Sequence, residues 1–347
     1  MAHDAFTPEK LREAYQHVWF VVARSQDIDT PVRAQLLDQK LVVFRDATGT
    51  ARVTDQRCIH RGGNLGNGKV VGENIECPYH GWQFNGGDGE CKVIPSLAEG
   101  GRIPPKAKVK AYPVIERFEH VWTCLGDPVY DLPSPPEIEH LELEWRAAEP
   151  IHADCGFMAA TENFRDMAHF PFVHEPSMGA VDPVVGDLDV QRDGREVSAS
   201  YFYRQVQESD FSDVGDAWMH YHSYAPGIAT ILYDFGEDIG KRYLVDFPSP
   251  VSYDKCIIFW GWPPIAISAA APSTRSSPSR PRSSTRTPRC WKALSPRKFR
   301  WPDRRSRSPL PPTSTRSTTG APPSTQCRPS PRPGGWYRAP TATARST

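Results

Sequence analysis

Two cysteines and two histidines carry the first chemistry in this sequence. Cys58 and His60 stand one residue apart, sixteen residues intervene, and Cys77 and His80 follow with two residues between them. Thiolate and imidazole are soft to borderline donors, and four of them paired this closely on two loops point to a metal. A structural zinc accepts the same four donors. Against zinc stand the one-residue gap in the first pair and the flanking runs His60-Arg61-Gly62-Gly63 and His80-Gly81-Trp82. Cys91 and Cys124 have no histidine beside them and are expected to be buried as small apolar side chains.

A second group lies in Glu162-Asn163-Phe164-Arg165-Asp166-Met167-Ala168-His169-Phe170-Pro171-Phe172-Val173-His174, where two histidines stand five apart and an acid precedes the first by three. On one continuous helix, positions five apart diverge by about 140°. Pro171 is expected to end the helix just after His169, so that the chain turns and His174 returns to the same point. By itself such a pair is a weak signal. Two ordinary surface histidines and a helix-surface acid at Asp166 are the plain alternative.

These residues need elements to hold them. A chain of 347 residues is long enough for two modest cores. Residues 35 to 125 alternate short β segments, such as Lys40 to Phe44 and Ala51 to Asp55, with glycine turns at Gly62-Gly63 and Gly86-Gly87. A small all-β domain is expected there. Asp127-Pro128 through Pro136 reads as a linker. After the helical pattern from Glu162 to His174, strand-like alternation returns at Val197 to Tyr203, Ile228 to Phe235, Tyr243 to Phe247 and Cys256 to Trp262. The class is therefore α+β, the second domain being built on an antiparallel sheet. Its expected divisions are an N-terminal segment packing on the core (1–34), a metal-binding domain (35–130), a catalytic domain (131–262) and a tail (263–347).

Formal neutrality, 41 basic against 41 acidic residues, hides an asymmetry. From Pro263 to Thr347 there are 15 Arg and 2 Lys against one acid, Asp303, so this segment carries +16 and the rest of the chain −16. An acidic body offers no nucleic-acid face. The apolar run Val18 to Ala23 is too short for a signal peptide, and no stretch approaches the ~18 apolar residues of a membrane span. A soluble cytoplasmic protein is expected, with no nucleic acid and no membrane as partner. Its eight cysteines are scattered, which in a reducing compartment favours metal over disulfides.

From about residue 15 to 262 the chain resembles the Rieske-type non-haem iron oxygenases, on Cys58-Ile59-His60-Arg61-Gly62-Gly63, Cys77-Pro78-Tyr79-His80-Gly81-Trp82 and the Asp166, His169, His174 segment. The resemblance implies a Rieske [2Fe–2S] cluster in which Cys58 and Cys77 hold one iron and His60 and His80 the other. It implies a mononuclear Fe(II) on His169 and His174, completed by a later carboxylate, with positions left open for dioxygen. Asp166 would bridge His169 to a Rieske histidine, His80, of a neighbouring subunit. The fold implied is an all-β Rieske domain followed by a helix-grip (START-like) catalytic domain. The function implied is that of a terminal oxygenase that uses O2 and electrons from a flavin or ferredoxin reductase to hydroxylate, dihydroxylate or oxidatively dealkylate a small organic, aromatic substrate. Members form head-to-tail homotrimers. Phe170, Phe172, Tyr221 and Tyr233 are available to line an apolar pocket. The rival class is a Rieske electron-transfer protein without oxygenase activity.

The tail departs from the family. Its third ligand belongs on a long C-terminal helix, yet beyond Trp262 Pro, Ser, Thr and Arg dominate, with 17 of the 35 prolines. Displacing the reading frame by one base restores an amphipathic period. Ser273, Ser276, Ser277, Ser279, Ser283 and Ser284 become Val or Leu, while Thr274, Arg275, Arg280 and Arg282 become Asp or Glu. Thr285 to Lys292 then reads Asp-Glu-Asp-Thr-Pro-Val-Leu-Glu, similar to the family's ligand segment, with the ligand slot at Thr287. The last Glu is forced, because the single Trp291 codon ends in G and Lys292 begins AA. The alternative is a genuine disordered basic tail that binds something acidic.

Overall fold

The structure, a computed structural model, describes residues 7–139, 145–174, 182–186, 188–204, 216–237 and 240–262. The displaced-frame reading and the Thr287 slot lie outside them. The chain enters through α1 (Pro8–Tyr15), a short helix with proline in its first turn and the Thr7 hydroxyl accepting from the Lys10 N–H at 3.3 Å. It buries Leu11 and leads into β1 (Phe20–Arg24).

The metal-binding half is built from short antiparallel strands. A first sheet holds β2 (Val32–Leu36), β3 (Gln39–Arg45) and β4 (Ala51–Asp55), and a second holds β5 (Lys69–Val71), β6 (Asn74–Glu76), β7 (Gln83–Asn85) and β8 (Cys91–Val93). The strand β9 (Ala111–Tyr112) closes the first sheet beside β4. Val42, Phe44, Ile75 and Phe84, all fully buried, form the core between the sheets, each contributing roughly 2 kcal/mol by its burial. Cys91 and Cys124 are buried, as their isolation in sequence suggested. A third sheet unites β1 with β10 (Val114–Arg117) and β11 (His120–Thr123). Both β1 and β2 thus draw on the first 34–36 residues, which pair with strands of the metal-binding half.

After α2 (Pro136–Glu139), β12 (Arg146–Ala147) and β13 (Ile151–Ala153) pair with the last described strand. Then come α3 (Phe157–Asn163) and α4 (Phe170–Val173), followed by β14 (Asp189–Asp193), β15 (Glu196–Tyr203), β16 (Ala217–Tyr224), β17 (Ile228–Asp234), β18 (Lys241–Ser252) and β19 (Lys255–Trp262). The eight strands β12 to β19 form one antiparallel sheet among the described residues, with β14 to β19 neighbours in chain order. Side chains alternate between its faces. Tyr201, Met219, Tyr221, Ile231 and Tyr233 meet Met167 and Phe170 on one face, the inner face below. On the other, Tyr224, Ile228, Val245 and Phe247 pack against Val21 and Trp122 of the third sheet. The sheet lies between the first half of the chain and the segment that carries His169 and His174.

The architecture is the sheet-rich α+β arrangement expected. Two local expectations differ. The helical stretch is not continuous to His169: α3 stops at Asn163, and α4 starts at Phe170 with Pro171 in its first turn. A proline there loses no hydrogen bond and has the required φ already set, so it opens a helical turn instead of ending one. The strand β16 also escaped notice, because Trp218, His220 and His222 occupy its outer positions and blur the alternation.

Candidate functional site

Cys58 and Cys77 occupy equivalent places in two loops of the same design. The Cys58 N–H donates to the Gly63 carbonyl at 2.8 Å, and the Cys77 N–H donates to the Trp82 carbonyl at 2.8 Å. Four residues after each cysteine a glycine N–H returns to the cysteine carbonyl, Gly62 at 3.0 Å and Gly81 at 2.9 Å. Both glycines adopt a left-handed backbone, φ +72° and +71°, that side chains with a Cβ resist. Gly63 is bare for a different reason. A Cβ there would stand 2.7 Å from the Cys77 Sγ.

The loops turn their thiols inward and their imidazoles outward. Cys58 and Cys77 are each 2% exposed. His80 is exposed, with its ring 4.6 Å from that of His60, and His60 stacks on Trp82 at 4.5 Å with 5° between planes. Burial, with the Cys77 thiol alongside, pushes the Cys58 thiol up to about 11, opposed by the His60 and Arg61 backbone N–H groups directed at the sulfur. A buried thiolate pair needs positive charge, and N–H donors to sulfur are what iron–sulfur clusters use. The His60 Nδ1 is buried with no hydrogen-bond partner. Among the described residues no three His, Cys, Asp or Glu side chains converge on one point. Tetrahedral zinc requires four donors around one ion, whereas a two-iron cluster requires two thiolates at one iron and two imidazoles at the other. The two adjacent thiols and the two neighbouring imidazoles fit such a cluster.

The second site forms at the break between α3 and α4. The Asp166 Oδ1 accepts from the Ala168 N–H at 2.9 Å, which turns the chain and sets His169 at the start of α4. One helical turn later His174 closes α4, its N–H donating to the Phe170 carbonyl at 3.1 Å. The Nε2 atoms of His169 and His174 then stand 3.1 Å apart. Two nitrogens each about 2.1 Å from a shared ion, at roughly a right angle, would be separated by about 3 Å. Burial and the neighbouring His169 hold His174 down to about 4, and burial lowers His169 as well, so both rings are neutral donors at pH 7. The Asp166 Oδ2 lies 3.6 Å from the His169 Nδ1, a buried nitrogen without a hydrogen bond.

Phe170, Tyr221 and Tyr233 lie in the apolar cluster beneath the pair, whereas Phe172 is 74% exposed and does not. The side chains of Asn163 and Glu162 carry no interaction that builds the site. Arg165, which the sequence did not single out, ties the histidine segment to the sheet by donating from Nε to the Ser223 Oγ at 3.0 Å.

Comparison with known proteins finds matches over both halves of the described chain. Residues 18–113 match the Rieske [2Fe-2S] domain family, and residues 153–275 match the vanillate O-demethylase oxygenase C-terminal domain family. A cholesterol 7-desaturase of Xenopus laevis is 39% identical over 148 residues, covering 41% of this chain and 32% of its own. The iron-sulfur subunit TsaM1 of a toluene-4-sulfonate monooxygenase system from Comamonas testosteroni is 29% identical over 232 residues, covering 61% of this chain and 65% of its own. The chain therefore spans from 32% to 65% of the length of these relatives. The fold is shared with dicamba monooxygenase bound to dicamba, at a TM-score of 0.64 and 23% identity over 72% of this chain and 77% of that one. It is shared also with Pseudomonas putida CBB5 NdmA with caffeine, at 0.65 and 23% over 76% and 78%. With a Rieske [2Fe-2S] domain followed by an oxygenase C-terminal domain in one chain, the protein belongs to the Rieske non-haem iron oxygenase family.

Proposed function

We propose that the protein is the terminal oxygenase component of a multi-component system, acting on a small organic, aromatic substrate by hydroxylation or oxidative dealkylation. The observation that carries this reading is the coexistence of two unlike donor sets: a two-plus-two Cys/His cradle, and a pair of imidazoles whose nitrogens stand 3.1 Å apart over an aromatic sheet face. When bound, the cluster supplies one-electron transfer and the mononuclear iron supplies dioxygen activation. In a hydroxylation one oxygen atom enters the substrate and the other leaves as water, the two electrons coming from a flavin or ferredoxin reductase.

The residues of this chain do the holding. Cys58, His60, Cys77 and His80 would carry the [2Fe–2S] cluster, and His169 and His174 the Fe(II). The Asp166 Oδ2 would keep the His169 ring in one tautomer. Half of the Asp166 side chain is open to solvent, as is His80, which suits a bridge from one subunit to another in a head-to-tail trimer. Met167, Phe170, Tyr221 and Tyr233 would exclude water around the substrate. No described helix is long and apolar enough to cross a membrane. A cytoplasmic setting would match a soluble reductase.

The missing carboxylate favours one further reading. Two imidazoles hold Fe(II) poorly, and no third acid joins them among the described residues. We therefore read residues 263–347 as a displaced frame whose restoration puts a carboxylate at the Thr287 slot; if the given frame is the true one, the protein is an electron carrier. Sequencing the DNA around codon 262, followed by reductase-coupled oxygen uptake by the restored protein with an aromatic substrate panel, tests this. Uptake that depends on substrate is expected. A confirmed frame together with a protein that passes electrons but never consumes oxygen would replace the oxygenase reading with the carrier.

A further inference from the structure

The inner face of the large sheet carries an acid with a carboxylate oxygen that no described residue partners. Asp246 follows Leu244 by two residues on β18, and Leu244 packs into the cluster of Tyr221, Ile231 and Tyr233, so Asp246 points to the same face. It is 5% exposed, and its Oδ2 is buried without a hydrogen-bond partner. Burial pushes its carboxyl up to about 8, and no cation among the described residues opposes that, so it is neutral at pH 7. The register links its row to the histidine segment. Ser223, Ala229 and Asp246 form one cross-strand row, and Ser223 is the residue to which Arg165 ties the histidine segment. Two strand spacings put Asp246 roughly 10 Å from Ser223, with only the methyl of Ala229 between them. On the same face the Tyr221 hydroxyl is buried and faces Tyr201 without reaching hydrogen-bond geometry.

Buried polar atoms without partners cost stability and are rare unless a ligand satisfies them. From this geometry we infer that Asp246 is the polar specificity residue of the pocket, hydrogen-bonding an uncharged polar group of an aromatic substrate, such as an amide, ether or phenol, and turning away carboxylates and sulfonates. A neutral acid offers a hydroxyl donor and a carbonyl acceptor together. An anion beside it would lie two strand spacings from the Arg165 guanidinium, which Ser223 already engages. The inference takes from the oxygenase reading only the purpose of the pocket.

Binding of benzamide, benzoate and toluene to the full chain, followed by ligand-observed magnetic resonance, tests it without turnover. Benzamide is expected to bind at least about ten-fold more tightly than either other ring, a difference of about 1.4 kcal/mol. Asp246→Leu should lose that ten-fold preference while melting at the same or a higher temperature, since it removes an unsatisfied buried acid. Asp246→Asn, which keeps the shape and likewise offers a donor and an acceptor without charge, should retain the preference for benzamide, and it serves if the leucine variant fails to fold. Equal benzamide binding by wild type and Asp246→Leu, preference of the wild type for benzoate, or no binding of any probe would overturn the inference. Iron analysis of the same samples separates the two claims. An iron-replete protein indifferent to Asp246 sinks this inference alone, and a colourless iron-free protein with an Asp246-dependent preference sinks the oxygenase reading alone.

Discussion

Asp166 spends one carboxylate oxygen on the Ala168 N–H and keeps the other 3.6 Å from the His169 ring. Asp166→Asn preserves the turn but loses the charge that orients the imidazole and bridges to the cluster. Both metals are expected to stay bound while substrate oxidation slows by about ten- to a hundred-fold, as product formed in a single turnover would show. Loss of the mononuclear iron with normal electron transfer to what remains would contradict the bridging role. Gly63 gives a sharper test of the cradle. Its missing Cβ would lie 2.7 Å from the Cys77 Sγ, so Gly63→Ala should displace the thiol and yield protein without the red-brown absorption of a Rieske cluster. Gly62→Ala strains the backbone at φ +72°, costing about 1–2 kcal/mol, and meets only the mobile end of the Arg57 side chain at 3.3 Å, so it should keep its colour. The four residues of the cradle stand out in sequence because paired Cys/His spacing is itself a donor pattern. Asp246 was overlooked for the opposite reason: an acid inside Tyr243-Leu244-Val245-Asp246-Phe247 looks like an interruption of a strand until register shows which face it occupies.

Elements explain what spacing could not. The sequence showed that His169 and His174 needed a turn between them, but the turn was assigned to the wrong side of Pro171. The proline's fixed φ serves the first helical turn as well as it breaks an interior one, and the position of the turn that Asp166 makes with the Ala168 N–H decides which applies. Strands β3, β4, β15 and β17 were visible from alternation within a residue or two, whereas β16 was hidden by outward histidines. One buried histidine sits where the two halves of the chain meet. His120 is fully buried at the start of β11, its Nδ1 2.6 Å from the Phe118 carbonyl and its Nε2 without a partner, between the rings of Phe247 and Phe259. Burial lowers it to about 4 from an ordinary 6.5. The unfolded chain therefore binds the proton more readily than the folded one between these values. The contribution is intact above about pH 6.5 and falls as the pH drops toward 4, by on the order of 3 kcal/mol in all. Urea unfolding at pH 7 and pH 4.5 should show this loss in wild type and a flatter pH dependence in His120→Leu. Identical slopes in the two proteins would remove His120 from the account.

For the whole molecule, charge and cover follow from the tail. Restoring the frame beyond Trp262 would exchange a +16 segment for an acidic and apolar one and lay a helix along the sheet. Val190, on the inner face at the sheet edge, is 59% exposed, and Val184 is 73% exposed. Apolar surface of this kind beyond a few hundred Å² promotes aggregation. The restored protein should therefore elute as a defined homotrimer in size-exclusion chromatography where the given chain aggregates; equal solubility of the two would count against a missing helix. The most direct test of the central claim, two distinct iron centres in one chain, is iron content measured together with electron paramagnetic resonance on the dithionite-reduced, frame-restored protein. About three irons per chain and a Rieske-type signal are expected, two irons from the Cys58, His60, Cys77, His80 cradle and one from the His169, His174 pair. A colourless protein holding about one zinc per chain and giving no such signal would contradict it.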